Sequence, residues 1–185
     1  LDANAGGSSF AVLGFSHPDV LEAMRAQMTR YCHVDFNSWT NPLTEELAAL
    51  ILSRAPEGLS RVYFAGGSGS EAVEAAMKLS YQVHHDNGRP ERTWTISRNQ
   101  SYHGATLGSL MASELNTLGF YEPLLPVNHA RIEQHHPLYY RRDDESLDDY
   151  ARRSAQELED KILEIGADKV SAFIGETMLS AMVGD

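Results

Sequence analysis

The sequence predicts an α/β fold in which a mostly parallel sheet is flanked by helices and preceded by an N-terminal segment. Three observations predict it. Arg61 to Glu74 (RVYFAGGSGSEAVE) is a β-branched and aromatic run, Val62-Tyr63-Phe64, then a glycine-rich turn, Gly66-Gly67-Ser68-Gly69, then a helical pattern. Thr93-Trp94-Thr95-Ile96-Ser97 repeats that order, a strand leading through Arg98 to Thr106 into a helix opened by Gly104 and running through Leu110. A helix from about Leu147 to Ile165 then precedes the apolar run Val170 to Ile174. Strands alternating with helices are the pattern of βαβ units.

In chain order, Leu1 to Gly7 is an extended, turn-rich opening. Pro18 suits a first helical position, and Val20, Leu21, Met24 and Met28 give that helix an apolar face. His17 beside it reads as a capping or packing residue. Between Tyr31 and Asn41 the segment YCHVDFNSWTN has no period, and a loop carrying Phe36 and Trp39 either lines a pocket or buries the Trp39 ring in the core. A helix follows from Pro42 to about Arg54 with Leu43, Leu47, Leu50 and Ile51 inward. Ala55-Pro56-Glu57-Gly58 breaks the chain and divides it into an N-terminal segment, residues 1–55, and the start of the main domain, residues 56–185.

The central helix has Ala72, Ala76, Leu79 and Val83 on one face. Ser68 and Glu71 have the spacing of a capping box, which fixes where the helix starts. Glycines allow a ligand to approach the backbone, and free N–H groups with the positive end of the helix dipole favour an anion. The turn therefore predicts a phosphorylated ligand near Gly69 and Ser70. The P-loop spacing is absent, but Gly67-x-Gly69-x-x-Ala72 fits the looser dinucleotide fingerprint, so a nicotinamide enzyme stands as an alternative. His84 and His85, near the glycine stop at Gly88, point about 100° apart on a helix and have no Cys or Glu-x-x-His companion, so no metal site is expected.

Composition narrows the partners. With 185 residues and 42% hydrophobic content the chain can bury one core of ordinary size. Fifteen Lys and Arg against 26 Asp and Glu give a formal charge of −11, which argues against nucleic acid or an anionic membrane as partner. The single cysteine, Cys32, excludes an intrachain disulfide and suits a reducing compartment. No apolar run approaches the roughly 20 residues that span a bilayer, and cytoplasm is the expected location.

SGSEAVEAAMK (Ser68 to Lys78) and SYHGATLGSL (Ser101 to Leu110), with the opening LDANAGG and the later AFIGETMLSA (Ala172 to Ala181), resemble in order and spacing the class III aminotransferases. These are pyridoxal 5'-phosphate enzymes of fold type I. The resemblance covers nearly the whole chain and implies part of that family's large domain. It implies that Gly69 and Ser70 grip the cofactor phosphate, that Tyr102 stacks on the pyridine ring, and that His103 supports the turn. Glu176 matches a family glutamate near the cofactor or substrate pocket, with Thr177 in place of the familiar proline. Trp39 falls near a substrate-contacting aromatic residue.

The family's Schiff-base lysine and pyridine-binding aspartate have no counterpart here. Lys78, Lys161 and Lys169 stand in other contexts, and Asp185 is the last residue. The chain is similar to roughly the first half of an aminotransferase, and alone it is expected to be inactive. A larger native chain and a homodimer are expected, transferring an amino group from an amino acid or amine to a 2-oxo acid in ping-pong fashion. Racemisation or decarboxylation would use the same cofactor contacts. Two alternatives stay open: a non-catalytic or truncated remnant of the fold, and an NADP-dependent oxidoreductase with Arg98 beside a 2′-phosphate, which would leave Tyr102-His103-Gly104 unexplained.

Overall fold

The structure, a computed structural model, describes residues 11–35, 38–114 and 118–177. The opening at 1–7, Phe36 and the residues from Met178 to Asp185 lie outside the described residues. Two compact units are present, the first ending at Tyr63 and the second beginning at Phe64.

The first unit holds α1 (Pro18–Met28) and α2 (Pro42–Leu52), each begun by proline. Asn41 caps α2, its side chain accepting the Thr44 N–H at 3.0 Å. Both helices form where the periodicity places them. Their apolar faces are nevertheless exposed, including Met24, Met28, Leu47 and Leu50, which corrects the expectation that the α2 leucines point inward. Amphipathic spacing is a property of one segment, whereas burial needs a second surface to face it.

The second unit is built on a parallel sheet of β1 (Trp94–Arg98), β2 (His129–Ile132) and β3 (Val170–Phe173), in the order β2-β1-β3. Ile96 pairs with Ala130 on one side and Phe173 on the other, and the β1–β3 register shifts between Trp94 and Thr95. Parallel neighbours require crossovers. These are supplied by the helices α4 (Leu107–Ala112) and α5 (Leu118–Tyr121) between β1 and β2, and α6 (Pro137–Tyr140) and α7 (Leu147–Ile165) between β2 and β3. α3 (Gly69–Asp86) precedes the sheet. Because the strands run in one direction, Arg98, Ile132 and Phe173 all end at one edge, where ligands of open α/β sheets bind.

Ile96, Ile132 and Val170 form the core, with Trp94 and the α7 residues Leu158, Ile162 and Ile165 against them. β1 is buried at Thr95, Ile96 and Ser97, as a central strand covered on both faces should be. At the start of α7 a forked pair locks the loop after α6: Arg153 Nε and Nη2 donate to Glu145 at 2.8 and 2.9 Å, and Nη2 also donates to the Tyr140 carbonyl.

Three expectations are corrected in this unit. Val62 to Phe64 does not form a strand, because a β-prone run becomes one only by pairing and this run has no ladder partner among the described residues. The second helix begins at Leu107 rather than Gly104. α3 turns a different face to the sheet: Ala72, Ala76, Leu79 and Val83 are exposed, while Val73, Met77, Ser80 and His84 are half-buried. The reason is polar. Ser80 Oγ contacts Ser171 Oγ at 2.7 Å and a His84 ring nitrogen lies 2.9 Å from the Ser171 carbonyl, so hydrogen bonds to β3 set the rotation of the helix.

Candidate functional site

The site starts at the α3 N-terminus. Ser68 Oγ accepts the Glu71 N–H at 3.3 Å and Glu71 Oε2 accepts the Ser68 N–H at 2.9 Å, so the expected capping box is formed. The box satisfies Ser68 and Glu71 and leaves out the two residues between them. The N–H groups of Gly69 and Ser70 have no partner among the described residues, and they sit where the helix dipole is positive.

The Ser70 side chain ties this terminus to the turn after β1. Its Oγ accepts the Ala105 N–H at 3.0 Å, which leaves the hydroxyl proton free to be donated. Gly104 lies against the same oxygen: a Cβ there would stand 2.7 Å from Ser70 Oγ. On the other side, Glu176 Oε1 accepts the Tyr102 N–H at 2.7 Å, from the loop that leaves β3. The His103 N–H donates to Ser113 Oγ at 2.7 Å. Ser70, Tyr102, His103 and Glu176 are thus gathered by backbone hydrogen bonds around one turn, with Gly69 beside Ser70.

Tyr102 is 46% exposed and so available to a ligand rather than packed in the core. Two polar atoms near it are buried without a hydrogen-bond partner, His103 Nε2 and Glu176 Oε2. Orphaned buried polar atoms are costly, and a ligand's polar groups are one way to satisfy them. Two free helical N–H groups, a hydroxyl with a proton to give, an exposed aromatic face and two unmet polar atoms fit a phosphorylated aromatic cofactor. Trp39, in the first unit, is 72% exposed, which corrects the reading that its ring is buried in the core.

Burial pushes the His103 imidazole below its ordinary 6.5, with the Glu176 carboxylate opposing the shift. His129 and His135 are also lowered, each chiefly by burial. A histidine whose folded value is depressed is neutral in both states at high pH; below about 6.5 the unfolded chain takes up protons first and is favoured. Glu145 behaves differently. The Arg153 guanidinium holds its carboxyl at about 2, so its contribution is intact above 4.5 and is lost as the pH falls toward 2. The melting temperature should therefore start to fall as the pH is lowered from about 6.5, and fall further below about 4.5. Thermal melts followed by circular dichroism test this, and a melting temperature that does not change between about pH 7 and pH 5 would contradict the histidine assignment.

Comparison with known proteins identifies the family. The family model described as "Aminotransferase class-III" matches residues 1–184. An uncharacterized aminotransferase of Schizosaccharomyces pombe is 35% identical over 97% of this chain and 39% of its own length. A putrescine–pyruvate aminotransferase of Pseudomonas aeruginosa is 32% identical over 98% of the chain and 39% of its own. Among solved structures, the omega transaminase from Pseudomonas jessenii in complex with PMP superimposes with a TM-score of 0.87 at 32% identity, over 95% of this chain and 39% of that one. The chain spans about two-fifths of the length of these relatives. No described helix is long and apolar enough to cross a membrane. The chain belongs to the class III aminotransferases.

Proposed function

We propose that the protein carrying this chain is a pyridoxal 5'-phosphate-dependent aminotransferase that moves an amino group from an amino acid or amine to a 2-oxo acid. The observation that carries this reading is the unpaired N–H pair of Gly69 and Ser70, joined through Ser70 Oγ to the turn that bears Tyr102. Pyridoxal phosphate, when bound, supplies an electron sink for the bond broken at the substrate carbon.

The residues of this chain bind and orient. Gly69 and Ser70 N–H groups and the Ser70 hydroxyl proton hold the phosphate dianion. Tyr102 presents its ring face and fixes the plane of the aromatic ligand. Burial favours neutral His103, so Nε2 is available as one donor or one acceptor. Glu176, anchored through Oε1 to Tyr102, keeps Oε2 for the ligand side. Trp39 contacts substrate.

The reaction also needs a lysine and an aspartate. Lys78 lies about two turns along α3 from Ser70, and Lys161 is paired with Glu164 at 2.6 Å, so neither is placed for it. A longer native chain supplies both, with residues 1–55 as its N-terminal segment and 56–185 as the start of its cofactor-binding domain. The enzyme works as a homodimer in the cytoplasm. Adding pyridoxal phosphate to the full-length protein should produce a near-visible absorbance band that borohydride abolishes, leaving the cofactor mass on a lysine outside residues 1–185. Cofactor held without reducible attachment to any lysine would favour the second reading, a non-catalytic remnant. No binding at all would reject the cofactor assignment.

A further inference from the structure

Glu74 stands one turn after Ser70 on α3, on the same face. A glutamate four residues before a lysine ordinarily forms a surface ion pair, and Lys78 occupies that position. The carboxylate turns elsewhere. Glu74 Oε1 accepts the Thr106 hydroxyl at 2.7 Å and the Gly108 N–H at 3.0 Å, across 32 and 34 residues of sequence. The fit is close: a Cβ on Gly108 would meet Glu74 Cδ and Oε1 at 2.8 Å, so a side chain there would displace the carboxylate from this position.

We propose that Glu74 is a positioning residue for the cofactor site, fixing the loop at 105–108 to α3 so that the Tyr102 ring stands at a set angle over the phosphate cradle. The inference rests on the cofactor reading above. The turn at 102–104 is held at two ends. Glu176 takes the Tyr102 N–H at one end; Ser70 and Glu74 take Ala105, Thr106 and Gly108 at the other. Ser70 also serves the phosphate, so its single hydroxyl cannot by itself decide where the loop sits. Glu74 binds two loop groups, and its hydrogen bonds to the loop are charge-assisted. Removing it leaves Ser70, among the described residues, as the side chain of α3 that hydrogen-bonds the loop, and allows the Tyr102 ring to tilt.

The test uses the full-length protein, wild type and the variants Glu74→Ala and Glu74→Gln. Three quantities are measured: pyridoxal phosphate affinity, the visible circular dichroism that the bound cofactor acquires, and hydrogen exchange of the Gly108 amide without cofactor. Glu74→Ala is expected to weaken binding about tenfold, to reduce or invert the induced signal, and to speed Gly108 exchange by a similar factor. Glu74→Gln keeps an acceptor oxygen and should stay within about threefold of wild type on all three. That rescue separates positioning from a charge effect on the phosphate, since both variants remove the charge. Glu74→Ala with wild-type affinity and an unchanged dichroic band would overturn the positioning role while leaving the cofactor reading standing. A wild-type protein that binds no pyridoxal phosphate would overturn both, whatever Gly108 exchange shows.

Discussion

Gly104→Ala is expected to abolish cofactor retention and to destabilise the second unit by about 2–4 kcal/mol, because two separate costs meet at one position. The first is in the backbone. Gly104 has φ +138°, a region that side chains with a Cβ rarely adopt. Strain there costs about 1–3 kcal/mol. The second is steric: the new Cβ would fall 2.7 Å from Ser70 Oγ and 2.8 Å from Ser109 Cβ, with Ser109 Oγ nearer still. Ser109 is fully buried and cannot withdraw, so Ser70 and the turn must move instead. Ser70 cannot move without losing Ala105 and the geometry offered to a phosphate. Urea unfolding and a pyridoxal phosphate titration read the two consequences separately. Adding Ser109→Gly to Gly104→Ala should recover part of the stability by removing the Ser109 share of the steric cost, while the contact with Ser70 Oγ and the backbone strain stay. A single variant with wild-type stability and affinity would show that the turn is looser than this packing requires.

What the sequence made legible follows from how far apart the deciding residues are. The start of α3 was readable because Ser68 and Glu71 are three residues apart and settle it between themselves. β1, β3 and α7 were readable from propensity and periodicity over short windows. β2, four residues reading HARI, carries too short a pattern to be noticed, and only its pairing with β1 identifies it. Val62 to Phe64 shows the converse, strand-like residues without a ladder partner among the described residues. On α3 two stripes of the same period compete, and the apolar one lost to Ser80 and His84, whose hydrogen bonds reach Ser171 across 91 and 87 residues. The candidate site divides in the same way. Gly69 and Ser70 could be found from helix-terminus physics, and the Tyr102 to Gly104 turn from resemblance. The contacts that join them, Ser70 to Ala105 and Glu176 to Tyr102, span 35 and 74 residues and have no local signature.

Ile96→Ala should be the most destabilising single truncation in the second unit, at about 3–5 kcal/mol, near the top of the range for a buried isoleucine. Ile96 is completely buried at the middle of the middle strand, packed with Ile132 from β2 and Val170 from β3. Few other apolar side chains in the described residues are buried, so little is available to collapse into the space left behind. Such a loss is a large fraction of the 5–15 kcal/mol by which domains of ordinary size are stable. It would also reach the site, since β1 runs directly into the turn that holds Tyr102. Ile96→Val, which keeps most of the volume, should cost only about 0.5–1.5 kcal/mol. Leu79→Ala is the informative contrast, because Leu79 lies on the stripe that periodicity alone would put in the core and is 48% exposed. It should cost less than about 1 kcal/mol in chemical denaturation. A cost at Ile96 no greater than at Leu79 would mean that the sheet is not the centre of this unit's stability. A high cost at both would mean that a further surface of the native protein covers the outer stripe of α3.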